Sequence, residues 1–175
     1  MEFALVVPLL ILLVFGMIQF GTIYNDFISV RQGTRDAARQ GAVANFGPTF
    51  TTGSPCNLSV ATASTPSPDI ENLMCLAKSQ IGLSGSDIRV DVIFAKPDFS
   101  AADSSWTVGD GLIVCTQAAM HTQTQLLAAL IGSPFLKTKT AIRIEQPAVG
   151  AETAGYESPP SGSDWSWCTV SSSTP

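Results

Sequence analysis

The residues whose types and spacing could do chemistry are few: four cysteines, one histidine, a glutamate at the tip of an apolar run and three evenly spaced arginines. Cys56, Cys75, Cys115 and Cys168 are far apart, no pair has the C-x-x-C spacing, and His121 is the only imidazole. A structural zinc needs thiolates or imidazoles clustered at short spacing, so zinc is not expected. Disulfides are the chemistry left to these thiols, and four cysteines allow three connectivities. Joining nearest partners gives Cys56–Cys75, which closes a loop, and Cys115–Cys168, which pins the C-terminal tail. The alternative is four reduced thiols in a reducing compartment. No phosphate-binding loop, nucleophile elbow or H-E-x-x-H occurs, so neither an enzyme nor a cofactor is expected. With 9 Lys and Arg and a net charge of −5, the chain lacks the basic footprint of a nucleic-acid binder. Charged residues are only 13% of the chain, so its surface must rely on hydroxyls and amides, as is common outside the cell.

These residues need elements to position them, and the first is a helix. From Phe3 to Tyr24 the only strongly polar side chain is Gln19, and roughly 22 such residues suffice to cross a bilayer. A cleaved secretory signal would be shorter and would start with Lys or Arg, so the segment is expected to stay on the protein. The helical pattern continues without a breaker through Ala44. Arg31, Arg35 and Arg39 fall four apart and stack on one face. That row is either a solvated strip near lipid headgroups or a contact for an acidic surface on a neighbouring subunit. Ala37, Ala38, Gly41 and Ala42 form a small-residue face on which another element can sit. The helix is expected to end near Phe46-Gly47-Pro48. Pro8 removes one backbone hydrogen bond and should bend the apolar run, with neighbouring helices covering the freed carbonyl.

Glu2 remains. A carboxylate in the first helical turn gains from the helix dipole and could simply sit among headgroups. Yet Glu2-Phe3-Ala4-Leu5-Val6-Val7-Pro8-Leu9-Leu10, continuing to Phe15-Gly16-Met17-Ile18-Gln19-Phe20-Gly21, resembles the start of the TadE-like pilins of the tight-adherence (Tad, or Flp) pilus, a branch of the type IV filament superfamily. The resemblance implies that Glu2 neutralises the terminal amine of an adjacent subunit during assembly. A buried carboxylate is costly alone and tolerable when paired, so such a pair would select the register. The family also implies a short basic leader before the glutamate; here only Met1 precedes it. Taken alone, the arginines would keep the following domain on the cytoplasmic side of the membrane. The resemblance and the cysteines instead imply that it lies outside.

Beyond the stem, Thr49 to Pro68 is a loop carrying Cys56. Ser67-Pro68-Asp69-Ile70-Glu71 reads as a helix start, with Ile70, Leu73, Met74, Ala77 and Ile81 as the apolar stripe and Gly82 as the stop. Ile88 to Phe94 alternates as a strand, with Ile88, Val90, Val92 and Phe94 on one side. Leu112 to Ala118 suits a central strand. Phe135 to Glu145 alternates with Leu136, Thr138, Thr140, Ile142 and Ile144 inward, and Thr124 to Ile131 suits a second short helix. Val114 to Ala119, the leucine-rich helix and Ala141 to Pro147 also resemble TadE-like proteins. In the tail, Trp165 and Trp167 in Asp164-Trp165-Ser166-Trp167-Cys168 either dock back on the domain, tethered through Cys168, or grip a surface or glycan.

The expected fold is α+β and pilin-like: a long N-terminal stem helix with a small antiparallel sheet and two short helices. The parts are a membrane segment (1–24), its amphipathic extension (25–46), an extracytoplasmic head (47–147) and a Gly/Ser/Pro-rich tail (148–175). The resemblance implies a structural minor pilin used in surface adherence, at the bacterial cytoplasmic membrane or on an extracellular pilus. Its partners would be the major pilin, other minor pilins, the inner-membrane assembly platform, a prepilin peptidase and one membrane span. The assembly residues would be Glu2, Phe3, Pro8, Arg31, Arg35 and Arg39. The competing expectation is a membrane-anchored extracytoplasmic binding domain that never enters a filament. A third is the major filament subunit, which this length disfavours.

Overall fold

In the computed structural model, residues 2–47, 56–83, 88–119, 135–148 and 150–170 are described. The chain runs through α1 (Glu2–Ala42), α2 (Pro68–Ile81), β1 (Ile88–Ala95), β2 (Ala102–Asp103), β3 (Gly111–Ala119), β4 (Phe135–Arg143) and β5 (Gly155–Tyr156). The architecture is α+β and pilin-like, a long apolar helix set on a small antiparallel sheet. His121 and the helix expected over Thr124 to Ile131 lie outside the described residues.

At 41 residues, α1 is about 60 Å long. Its two halves have opposite surroundings. The C-terminal half enters the head, where Val30, Ala37, Ala38 and Ala42 are buried. Two glycines allow the approach. A Cβ on Gly33 would lie 2.6 Å from Ile81 Cγ1, and one on Gly41 would lie 2.8 Å from Leu112 Cδ2. Thr34 donates its hydroxyl to the Val30 carbonyl at 2.7 Å and stands 2.9 Å from Thr116 Oγ1, which joins the stem to β3 through buried hydroxyls. The small-residue face expected from Ala37 to Ala42 therefore packs on α2 and the sheet as anticipated.

The helix stops at Ala42, earlier than the Phe46-Gly47 boundary expected from the sequence. Ala44 takes a left-handed conformation (φ 52°), Asn45 N donates to Gln40 O at 2.9 Å, and Ala44 N donates to Gly41 O at 2.8 Å. This is a Schellman closure with alanine where glycine is usual, so the glycine signal pointed too far along. The freed Ala42 carbonyl accepts from Glu145 N at 2.8 Å and Gln146 N at 3.2 Å. The early stop lets Phe46 turn back into the core, edge-on to Trp106 at 5.5 Å.

The second helix begins as its sequence predicts, with Pro68 in the first turn, Asp69 and Glu71 beside it, and Gly82 as a left-handed C-cap (φ 67°). Ser67 occupies the N-cap position, but its hydroxyl bonds Glu152 instead of a helix amide. The strands are ordered β2-β1-β3-β4, and β5 also pairs with β1. Ile88, Val90, Val92 and Phe94 face the helices and are at most 1% exposed. β3 is buried on both faces, as a central strand must be. On β4, Leu136 and Thr138 are buried while Lys137, Lys139 and Arg143 point to solvent.

The other face of the sheet is covered by the tail. Ala95, Ile113 and Cys115 pack with Cys168, Trp165 and Trp167. Both expected disulfides are present: Cys56–Cys75 ties the first loop to α2, and Cys115–Cys168 ties the tail to β3 across 53 residues. The two tryptophans are partly buried against this face.

Candidate functional site

Three features of the molecule present chemistry to a partner: the stem, the arginine row and a groove under the tail. On the stem, thirteen large apolar side chains between Phe3 and Tyr24 are exposed, among them Phe3 (82%), Leu12 (75%) and Phe20 (72%). Leaving each in water costs roughly 1.5–3 kcal/mol, so the run costs on the order of tens of kcal/mol, more than a domain's net stability. The helix is long and apolar enough to cross a membrane, and that stretch is almost wholly unburied. Lipid or other helices must cover it. Pro8 is exposed within a continuous helix. Glu2 is the first residue of α1, and its side-chain environment lies outside the described residues. Arg31, Arg35 and Arg39 all point to solvent. Among the described residues, the ion pairs are those of Glu157 with Lys78 and Arg89, so the row is free for a partner.

An open groove of about 680 Å³ lies between β1, β5, the 63–65 loop and the docked tail. Tyr156 and Trp165 line it, together with Asp91, Asp103 and Asp164. The walls are fixed by hydrogen bonds: Trp165 Nε1 donates to Glu157 O at 2.8 Å, and Tyr156 N donates to Ser64 Oγ at 2.9 Å. Asp103 accepts from the Ser104 amide at 2.7 Å, and Asp164 accepts from the Ser166 hydroxyl and amide. Those bonds hold both carboxyls below the usual range. Asp91 differs. It is 5% exposed, and burial pushes its carboxyl up to about 7.

Beside the groove, Glu157 is fully buried. It accepts from Lys78 Nζ at 2.9 Å, from the Ser59 amide at 3.0 Å and from the Val90 amide at 2.9 Å, with Arg89 Nη1 at 3.6 Å. One carboxylate thus fastens the tail, α2, β1 and the Cys56 loop together.

Residues 1–39 match the TadE-like protein family. No curated protein and no solved structure matches the chain. The TadE-like match ends three residues before α1 does. It therefore covers the stem and the arginine row, and the head lies beyond it. The likeness expected over Ala141 to Pro147 has no counterpart in that match.

Structure thus gathers Glu2, Phe3, Pro8 and the three arginines on one TadE-like helix. It separates them from Trp165 and Trp167, which sit on the far face of the sheet. Sequence reasoning missed Asp91 and Glu157. The alternation of β1 assigns Arg89 and Asp91 to the face away from the helices, which reads as solvent. Docking of the tail tryptophans on that face was the available signal that it is covered.

Proposed function

We propose that the chain is a structural minor pilin of the TadE-like type, which assembles into a Tad pilus, or primes or caps it, in surface adherence. One observation carries this reading: an apolar helix that the head leaves bare is continuous with a helix that the head encloses, and residues 1–39 match the TadE-like family. Such a helix can pass from lipid to a packed bundle of similar helices because both offer an apolar surround. Glu2 would enter that bundle paired with the amine of an adjacent subunit, since an unpaired charge there is expensive. The partners are then the major pilin and related minor pilins, with an inner-membrane platform for assembly and a peptidase for processing. The head sits outside the membrane, where its disulfides form, and the role is structural, without catalysis.

The test is Glu2→Ala in the native host. We expect pili to be lost and other pilus components to stop co-purifying, while the head keeps its melting transition. Unchanged piliation and unchanged co-purification would overturn the reading. The groove favours one alternative, an extracytoplasmic binding head whose anchoring helix never leaves the bilayer. In that case Glu2→Ala is silent.

A further inference from the structure

The groove holds a carboxylate that the fold has not paired. Asp91 lies on β1, opposite Cys115 on β3 and Tyr156 on β5, and is 5% exposed. Among the described residues, none makes a hydrogen bond or ion pair with its side chain. Arg89, the basic residue two positions earlier on the same strand, is already engaged with Glu157. A buried acid without a partner is costly, and proteins tolerate one where a ligand supplies the missing charge.

We propose that this groove binds an organic cation, the guanidinium or ammonium of a basic side chain presented by a partner polypeptide, with Asp91 as its counter-charge. The lining matches that ligand point by point. Asp103 and Asp164 at the groove are held ionised by their serine hydrogen bonds and add negative potential around the entrance. Tyr156 and Trp165 supply aromatic surface, against which a cation is attracted by the ring quadrupole. Ile93 and Pro159 offer apolar contact for the methylene stem of Lys or Arg. A metal ion fits less well: among the described residues no three His, Cys, Asp or Glu are grouped to hold one. The groove is far larger than one ion and open to solvent, so a side chain can enter while its own backbone stays outside. An overall charge of −5 favours a basic partner. This assignment holds whether or not the stem enters a filament.

The test uses the full chain in detergent micelles, titrated calorimetrically with acetyl-Gly-Ser-Arg-Ser-Gly-amide and with the same peptide carrying citrulline, which keeps the shape and removes the charge. The arginine peptide should bind at least ten-fold more tightly than the citrulline peptide, and added salt should weaken it. Asp91→Asn should weaken it at least ten-fold while both disulfides and the melting transition remain. Asp103→Asn, which removes one of the surrounding charges and leaves the buried acid in place, should weaken it two- to three-fold. Equal binding of the two peptides, no binding of either, or no effect of Asp91→Asn overturns the proposal. Free argininamide binding as tightly as the peptide overturns the polypeptide source.

Discussion

Asp91 shows what a single side chain can cost. Its folded-state carboxyl is raised to about 7 from an ordinary 3.8 by burial. Below about pH 4 it is protonated whether the chain is folded or not. Between about 4 and 7 the folded chain keeps a proton that the unfolded chain has released, so stability falls as pH rises through that window, by as much as about 4 kcal/mol. Above 7 the loss is constant. Asp98, Asp103 and Asp164, held low by serine hydrogen bonds, act in the opposite sense and only at more acid pH. Melting curves from pH 5 to 8 should therefore show a decline with pH that Asp91→Asn abolishes, with the variant melting above the parent at pH 8. A decline that persists in the variant would place its origin elsewhere. Glu157 makes the contrasting case: equally buried, it has two amides and two cations, and nothing in its surroundings calls for a ligand.

At the scale of elements, the seam between α1 and α2 is set by the absence of a side chain. Gly33 brings the stem so near Ile81 that a methyl group would lie 2.6 Å from its Cγ1 and 3.0 Å from its backbone nitrogen. The side chain can shift, whereas the helix backbone yields less, so Gly33→Ala should destabilise the head by about 1–3 kcal/mol. Chemical unfolding of the full chain measures this, and a neutral result would mean that α2 is free to move away. Much of the architecture was legible from pattern. Period-two alternation picked the inner faces of β1 and β4, the Ser-Pro-acid start and Gly82 bounded α2, and nearest-partner pairing gave both disulfides. What escaped on the second face of the sheet had one physical cause. The tail, rich in Gly, Ser and Pro, carries no hydrophobic period, yet it contributes β5 and covers the second face of the sheet. A strand of two residues has no period to read. Neither the alternation of β1 nor the composition of the tail marks Asp91 or Glu157 as buried. The end of α1 escaped for a local reason, because an alanine took the left-handed position where glycine is the usual sign.

For the whole molecule, the tail acts as a clasp. Cys115–Cys168 closes 53 residues, and by loop-closure entropy such a bond contributes about 4 kcal/mol. Replacing both cysteines by serine should lower stability by roughly that amount and open the segment after Gly150 to protease, while Cys56–Cys75 still forms. Peptide mapping after limited proteolysis reads this directly, and an uncut tail would show that Glu157 and Trp165 suffice to hold it. The other long-range tie lies at the base of the stem. The last carbonyl of α1 is gripped by two successive amides after β4, and the two preceding turns are themselves core. No hinge separates rod from globe. A sideways push on the head is therefore delivered to the rod as bending torque, and a twist of the rod in its surroundings turns the head by the same angle. The molecule works as one lever, so whatever fixes the orientation of the greasy end also fixes the direction in which the groove faces.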